Sequence, residues 1–173
     1  NTENYELMLL DNNRSSVFNH PSEMNKLLLT CKTDFLVIMD DDVFVRPGWL
    51  DGMLESMKPD VGLVVPLHTN SKDEISFAGI AMSPDKSGHH SHALKVHAHP
   101  FPIQTVCSAI MLIDINKCGH IHFNESYSKY FFDLVFGLRV WESGYKVILA
   151  PSVSVTHVGG ATLSQGSELS MAL

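Results

Sequence analysis

Phe35-Leu36-Val37-Ile38-Met39 runs without a polar interruption into Asp40-Asp41-Asp42. Five apolar residues without alternation predict a strand covered on both faces. In open α/β sheets, ligands bind just outside the carboxyl ends of the strands. Three carboxylates at such an end repel one another, and a divalent cation relieves the repulsion. Oxygen donors favour Mg²⁺ or Mn²⁺ over zinc. Such an ion commonly keeps waters and also binds phosphates. The competing reading is a solvated acidic turn that caps the next element.

Outward from this stretch, strands and helices alternate. Tyr5 to Leu10 is an apolar run ending in Asp11-Asn12-Asn13, which predicts a buried strand and a turn. Pro21-Ser22 opens a predicted helix to about Thr30, with Ser22 as N-cap. Pro47 starts another through about Met57, with Trp49, Leu50, Met53, Leu54 and Met57 on one face. Val61 to Pro66, Glu74 to Met82 and Thr105 to Ile113 predict strands, and residues 83–92 an exposed loop. Tyr130 to Glu142 predicts a helix closed by Gly144 as its C′ residue. Val147 to Leu149 and Val153 to Val155 predict two short strands. The expected class is α/β: a mixed, mainly parallel sheet flanked by helices, in one domain over 1–160, with a flexible tail over 161–173.

Composition sets the outer limits. The chain has 173 residues, 45% hydrophobic and 18% charged, enough for one domain with a sizeable core. A net charge of −7 argues against nucleic-acid binding by bulk electrostatics. Cys31, Cys107 and Cys118 are an odd, widely spaced set and read as free thiols of a reducing compartment. No apolar run approaches the roughly 20 residues that cross a bilayer. The expected location is the cytoplasm, with peripheral membrane association allowed.

Phe35 to Val43, followed by Arg46-Pro47-Gly48-Trp49-Leu50, resembles the Asp-x-Asp segment of family-2 glycosyltransferases. Further stretches match that family in the same order. Leu9 to Ser16 is similar to its strand-end motif at the nucleoside. Val61 to Pro66 with Ile75 to Gly79 resembles its linking strands, and Thr105 to Ile113 its acceptor-side strand. Tyr130 to Asp133, Leu138-Arg139, Gly144 to Lys146 and Pro151 to Gly160 resemble its carboxylate helix and closing His-x-Gly-Gly segment. The resemblance covers roughly residues 5 to 160 and implies the GT-A fold. It also implies that a first strand and helix precede residue 5, so the chain reads as N-terminally incomplete.

By that resemblance, Asp42 binds the metal directly, Asp40 supports the metal or the ribose of a nucleotide-sugar, and Asp41 faces solvent. His157 is a further metal ligand, more suited to Mn²⁺ than to Mg²⁺. Asp11, with Asn12 beside it, accepts a hydrogen bond from the base, and uracil N3–H suits a carboxylate. Asp133, in the first turn of its helix among aromatics, is the general base. The helix N-terminus favours its charged form while burial raises its pKa. The implied activity is metal-dependent, inverting transfer of a sugar from a nucleotide-diphospho-sugar, UDP-type favoured, to a saccharide or other hydroxyl acceptor. The bland readings are a surface histidine at 157, a turn aspartate at 11 and a helix-capping aspartate at 133. The rival functions are a nucleotidyltransferase and a non-catalytic nucleotide-binding relative of the fold. His89, His90, His92, His97 and His99 read as a polar loop.

Overall fold

The computed structural model describes residues 5–10, 19–82, 90–92, 96–128 and 130–159, with 90–92 described by backbone alone. Helix α1 spans His20–Thr30 and buries Pro21, Met24, Asn25 and Leu28, the i, i+3, i+4 stripe of an amphipathic helix. Its N-cap is Asn19, whose side chain accepts from Ser22 N; Ser22 lies within the helix and is not the cap. Asn25 pairs with the backbone of Phe123 in both directions, at 3.0 and 2.7 Å, fixing the helix to the body of the domain.

Strands β1 (Phe35–Met39) and β2 (Val43–Phe44) flank the Asp triplet. Helix α2 (Trp49–Ser56) follows, beginning two residues after Pro47. β3 (Val61–Thr69) is buried along its whole length. The predicted strand from Glu74 is two pieces, β4 (Ile75–Phe77) and β5 (Ile80–Met82). It breaks at Gly79, where φ is 98° and a β-carbon would strike Ile103. β6 (His90–His92) pairs antiparallel with β5, so the end of the predicted loop is a strand; 83–89 lie outside the described residues. β7 (Phe101–Pro102) precedes β8 (Ile110–Asp114), so the strand expected from Thr105 begins five residues later. Helices α3 (Ile115–Cys118) and α4 (Phe132–Glu142) come next. Gly144 follows α4 at φ 87°, as the glycine after Ser143 predicts. The last strand, β9 (Lys146–His157), is continuous where two were expected. Its register against β3 jumps after Ala150, around Pro151, and that irregularity gave the sequence its two-piece appearance.

The sheet order is β1-β8-β3-β9-β2, with β4 also on β3 and β7 also on β9. It is mixed and flanked by helices, as expected. Its parallel share is smaller than expected: among the described residues only β3 and β9 pair in parallel. β8 runs back between β1 and β3, antiparallel to both. Both faces are covered. Leu63, Val65, Met111 and Ile113 join the core beneath α1 and α4, while Val64, Ile110 and Leu112 join a second core with Met53 of α2. Alternate residues of one strand thus serve opposite cores.

Two expectations of buried strands fall short. β1 is covered on both faces only in part: Leu36 and Ile38 pack on one core and Val37 on the other, while Phe35 and Met39 are exposed. Residues 5–10 form no strand, with Tyr5, Leu7 and Leu9 at 72%, 80% and 86% exposure. β1 ends the sheet order, and among the described residues no strand pairs with its outer edge. An apolar run becomes a buried strand only where a neighbour takes its hydrogen bonds and covers its faces.

Candidate metal centre and the carboxylate beside it

The Asp triplet leaves the sheet at the end of β1. Asp40 N donates to Ala109 O at 2.8 Å, continuing the β1–β8 ladder by one step. The chain then turns into β2, whose pairing with β9 sets Val43 opposite His157. Val158 N donates to Asp42 O at 3.2 Å, so the two strands stay joined at the Asp42 end. This ladder brings together residues 115 positions apart, placing His157 Nε2 3.3 Å from Asp42 Oδ1. One ligand atom each from Asp40, Asp42 and His157 lie within 4.8 Å of one another. Asp41 points to solvent.

The donor set fits a divalent cation. With metal–ligand bonds of about 2.0–2.2 Å, ligand atoms around one ion lie up to roughly 4.4 Å apart, so small side-chain rotations would close this group. Two carboxylates and an imidazole suit Mn²⁺ and also admit Mg²⁺. The electrostatics point the same way. Burial, then the charges of Asp42, Asp41 and Asp133, push the Asp40 carboxyl up to about 7. Burial and gathered negative charge both disfavour the ionised form there, and a cation would offset both.

Asp133 stands in the first turn of α4. Its Oδ2 accepts from Ser108 N at 3.0 Å and its Oδ1 from Leu134 N at 2.9 Å. Ser108 is the neighbour of Ala109, whose carbonyl accepts from Asp40 N, so adjacent residues hold the Asp133 side chain and the Asp40 backbone close together. Burial raises the Asp133 pKa, and the hydrogen bonds from Ser108 and Leu134 partly offset it. The residue before α4, Phe131, has a left-handed backbone at φ 66° and is exposed. α4 itself is seated by Gly137, where a β-carbon would collide with Thr105, and by Thr105 Oγ1, which donates to Leu134 O at 2.7 Å.

Three neighbours of the site escaped the sequence reading. His20 opens α1 with Nε2 3.8 Å from Asp40 Oδ1 and its ring 5.2 Å from that of Phe132. Burial lowers its pKa, so at that distance a neutral ring beside the carboxyl is the better description than an ion pair. The His20-Pro21 start of a helix was the available signal. Cys107 borders the carboxylates, and burial, with their charges adding, pushes its thiol up to about 11. It therefore stays protonated and is no nucleophile. His68 is a buried polar residue near the end of β3; its ring centroid lies 5.7 Å from that of His157. Burial, with the nearby His157, lowers its pKa to about 3, so it is neutral. Asp11 and Asn12 lie outside the described residues, as does the tail over 161–173. The three cysteines are free. No helix among the described residues is long and apolar enough to cross a membrane.

Residues 6–83, which include Asp40 and Asp42, match glycosyl transferase family 21. The resemblance read from the sequence was to family 2; the match found is to this other glycosyltransferase family. Among solved structures, the chain is similar to "Crystal structure of GalNAc-T7 with UDP, GalNAc and Mn2+", with a TM-score of 0.65 at 14% identity. The likeness covers 80% of this chain and 30% of that one, so the chain spans under a third of the solved relative's length. No curated protein matches by sequence. The fold is the GT-A fold, and the likeness to family 21 covers residues 6–83, less than half of the chain.

Proposed function

We propose that this domain is a metal-dependent, inverting glycosyltransferase that moves a sugar from a nucleotide-diphospho-sugar to an acceptor hydroxyl. The observation that carries the reading is the shared anchor at residues 108–109. It sets Asp133, held by Ser108 N–H, beside the Asp40–Asp42–His157 group. Asp133 lies near enough to the group for its charge to act on Asp40, which supports a base placed beside the cation.

Asp42, Asp40 and His157 would hold the cation. When bound, it would neutralise the charge developing on the diphosphate. Asp133 accepts the proton of the acceptor hydroxyl as that oxygen bonds to the anomeric carbon. The bond from that carbon to the diphosphate breaks, and its electron pair leaves with the diphosphate. Attack opposite the leaving group inverts the anomeric centre. Burial makes Asp133 more basic than an ordinary carboxylate, and the two N–H donors orient it. A UDP-type donor is favoured because the GalNAc-T7 structure names UDP and Mn2+. Mn²⁺ is preferred over Mg²⁺ for the imidazole ligand.

The test is Asp133→Asn. Transfer should fall by about 10²- to 10⁴-fold, the usual worth of a general base, while binding of the nucleoside diphosphate with Mn²⁺ persists. Transfer at the parental rate would remove Asp133 from the mechanism.

A further inference from the structure

His68 breaks a local rule. It sits one residue from the end of β3, a strand buried along its whole length, at 0% exposure, and neither ring nitrogen has a hydrogen-bond partner. A neutral imidazole carries one N–H donor and one acceptor lone pair. Leaving such groups buried and unpaired costs free energy that an apolar side chain of similar size would not cost. Residues that break local rules in this way concentrate where function demands them.

The sheet shows what the demand is. On one side, β4 sets Phe77 directly opposite His68, with ring centroids 4.7 Å apart. On the other, the parallel register sets His68 beside Val155 of β9. His157 is two residues further along β9 and therefore projects from the same face as Val155. There its ring meets that of His68 edge-to-face, at an interplanar angle of 88°. A single row, Phe77–His68–His157–Asp42, leads from the core to the metal group, and its last step is the 3.3 Å approach of His157 Nε2 to Asp42. At its free end, β9 pairs with β2 over only two residues. The ladder therefore gives the His157 ring little support, and His68 supplies a rigid wall behind it.

We infer that His68 is a positioning residue for the metal centre, holding the His157 ring in the orientation that meets the cation. The inference rests on the proposed metal-site reading of Asp40, Asp42 and His157. It assigns His68 no contact with the cation or substrate.

The experiment is a double-mutant cycle read by direct Mn²⁺ binding, using calorimetry on the full chain without donor or acceptor. His68→Leu and His68→Phe remove the imidazole, and His68→Gln keeps an uncharged polar group without the ring. Each is made alone and with His157→Ala, and the thermal midpoint of each metal-free protein is recorded. For the apolar variants, the metal-free midpoint should hold or rise because unpaired polar groups are gone, while Mn²⁺ affinity falls about 10- to 100-fold, the usual effect of losing a group that orients a metal ligand. With His157→Ala already present, the His68 changes should have little further effect on affinity, because there is no imidazole left to orient. The cycle needs only one folded replacement of the three. Unchanged Mn²⁺ affinity in a folded single variant would overturn the inference alone. An equal loss in both backgrounds would do the same, by showing that His68 acts independently of His157. If the parent binds no Mn²⁺ at all, the metal-site reading fails first and takes this inference with it.

Discussion

At the scale of single residues, the site is governed by carboxylates whose surroundings differ. Asp41 is exposed, whereas burial of Asp40, and then the like charges around it, push its carboxyl up to about 7. Asp133 is raised chiefly by burial. A base acts only when ionised, so a raised pKa means activity is lost as pH falls through a value above the ordinary carboxylate range. The expected pH profile of transfer therefore has an acid limb whose midpoint lies above the ordinary carboxylate value. It is measured under saturating Mn²⁺, so that loss of the cation does not imitate it. Ser108→Pro would remove the N–H that partly offsets this rise and move the limb further up. A limb at or below the ordinary carboxylate value would contradict the burial argument. These residue types and their order along the chain were legible in the sequence. Their protonation was not, because it depends on which charges the fold gathers.

At the scale of elements, the site depends on how α4 is seated. Its N-terminus carries Asp133, and one turn on, Gly137 lets the helix approach Thr105 closely enough for Thr105 Oγ1 to reach Leu134 O. Gly137→Ala places a methyl 3.1 Å from the Thr105 Cα, against backbone that cannot rotate away. The expected cost is about 1–3 kcal/mol, as for overpacking elsewhere, read as a lower urea midpoint with an unchanged slope. Transfer should weaken in the same variant because Asp133 moves with the helix. An unchanged midpoint would mean that the close approach is not maintained in solution. The helix and its closing Gly144 were legible from periodicity and from glycine's freedom at positive φ. The need for glycine at 137 was not, because nothing local marks which helical face meets Thr105. Similarly, the apolar run at 5–10 had strand composition, but composition does not supply a hydrogen-bonding neighbour.

At the scale of the whole molecule, one ligand should report on both ends of the chain at once. Asp42 and His157 come from the two halves of the sequence and meet only in the folded state. A nucleoside diphosphate with Mn²⁺ should therefore bind the native chain alone and stabilise it by mass action. At a ligand concentration about 100 times its Kd this amounts to roughly 2.7 kcal/mol, or a rise in Tm of about 5–10 °C. UDP, GDP, CDP and dTDP compared with and without Mn²⁺ would show whether one base is preferred and whether the cation is required. A flat response to all four would count against the proposed donor chemistry. The sequence by itself determined the α/β character of the chain, the carboxylate triplet at a strand end, and the helix that presents Asp133. All of these follow from local hydrophobic pattern and turn chemistry, which act over a few residues. The resemblance already implied that His157 and Asp42 share a metal; only the tertiary structure decided how closely they approach, that Ser108 and Ala109 hold the Asp133 side chain near the Asp40 backbone, and that an unpaired His68 stands behind the metal group. Those facts depend on strand register and on burial, and both arise from contacts between segments far apart in the chain.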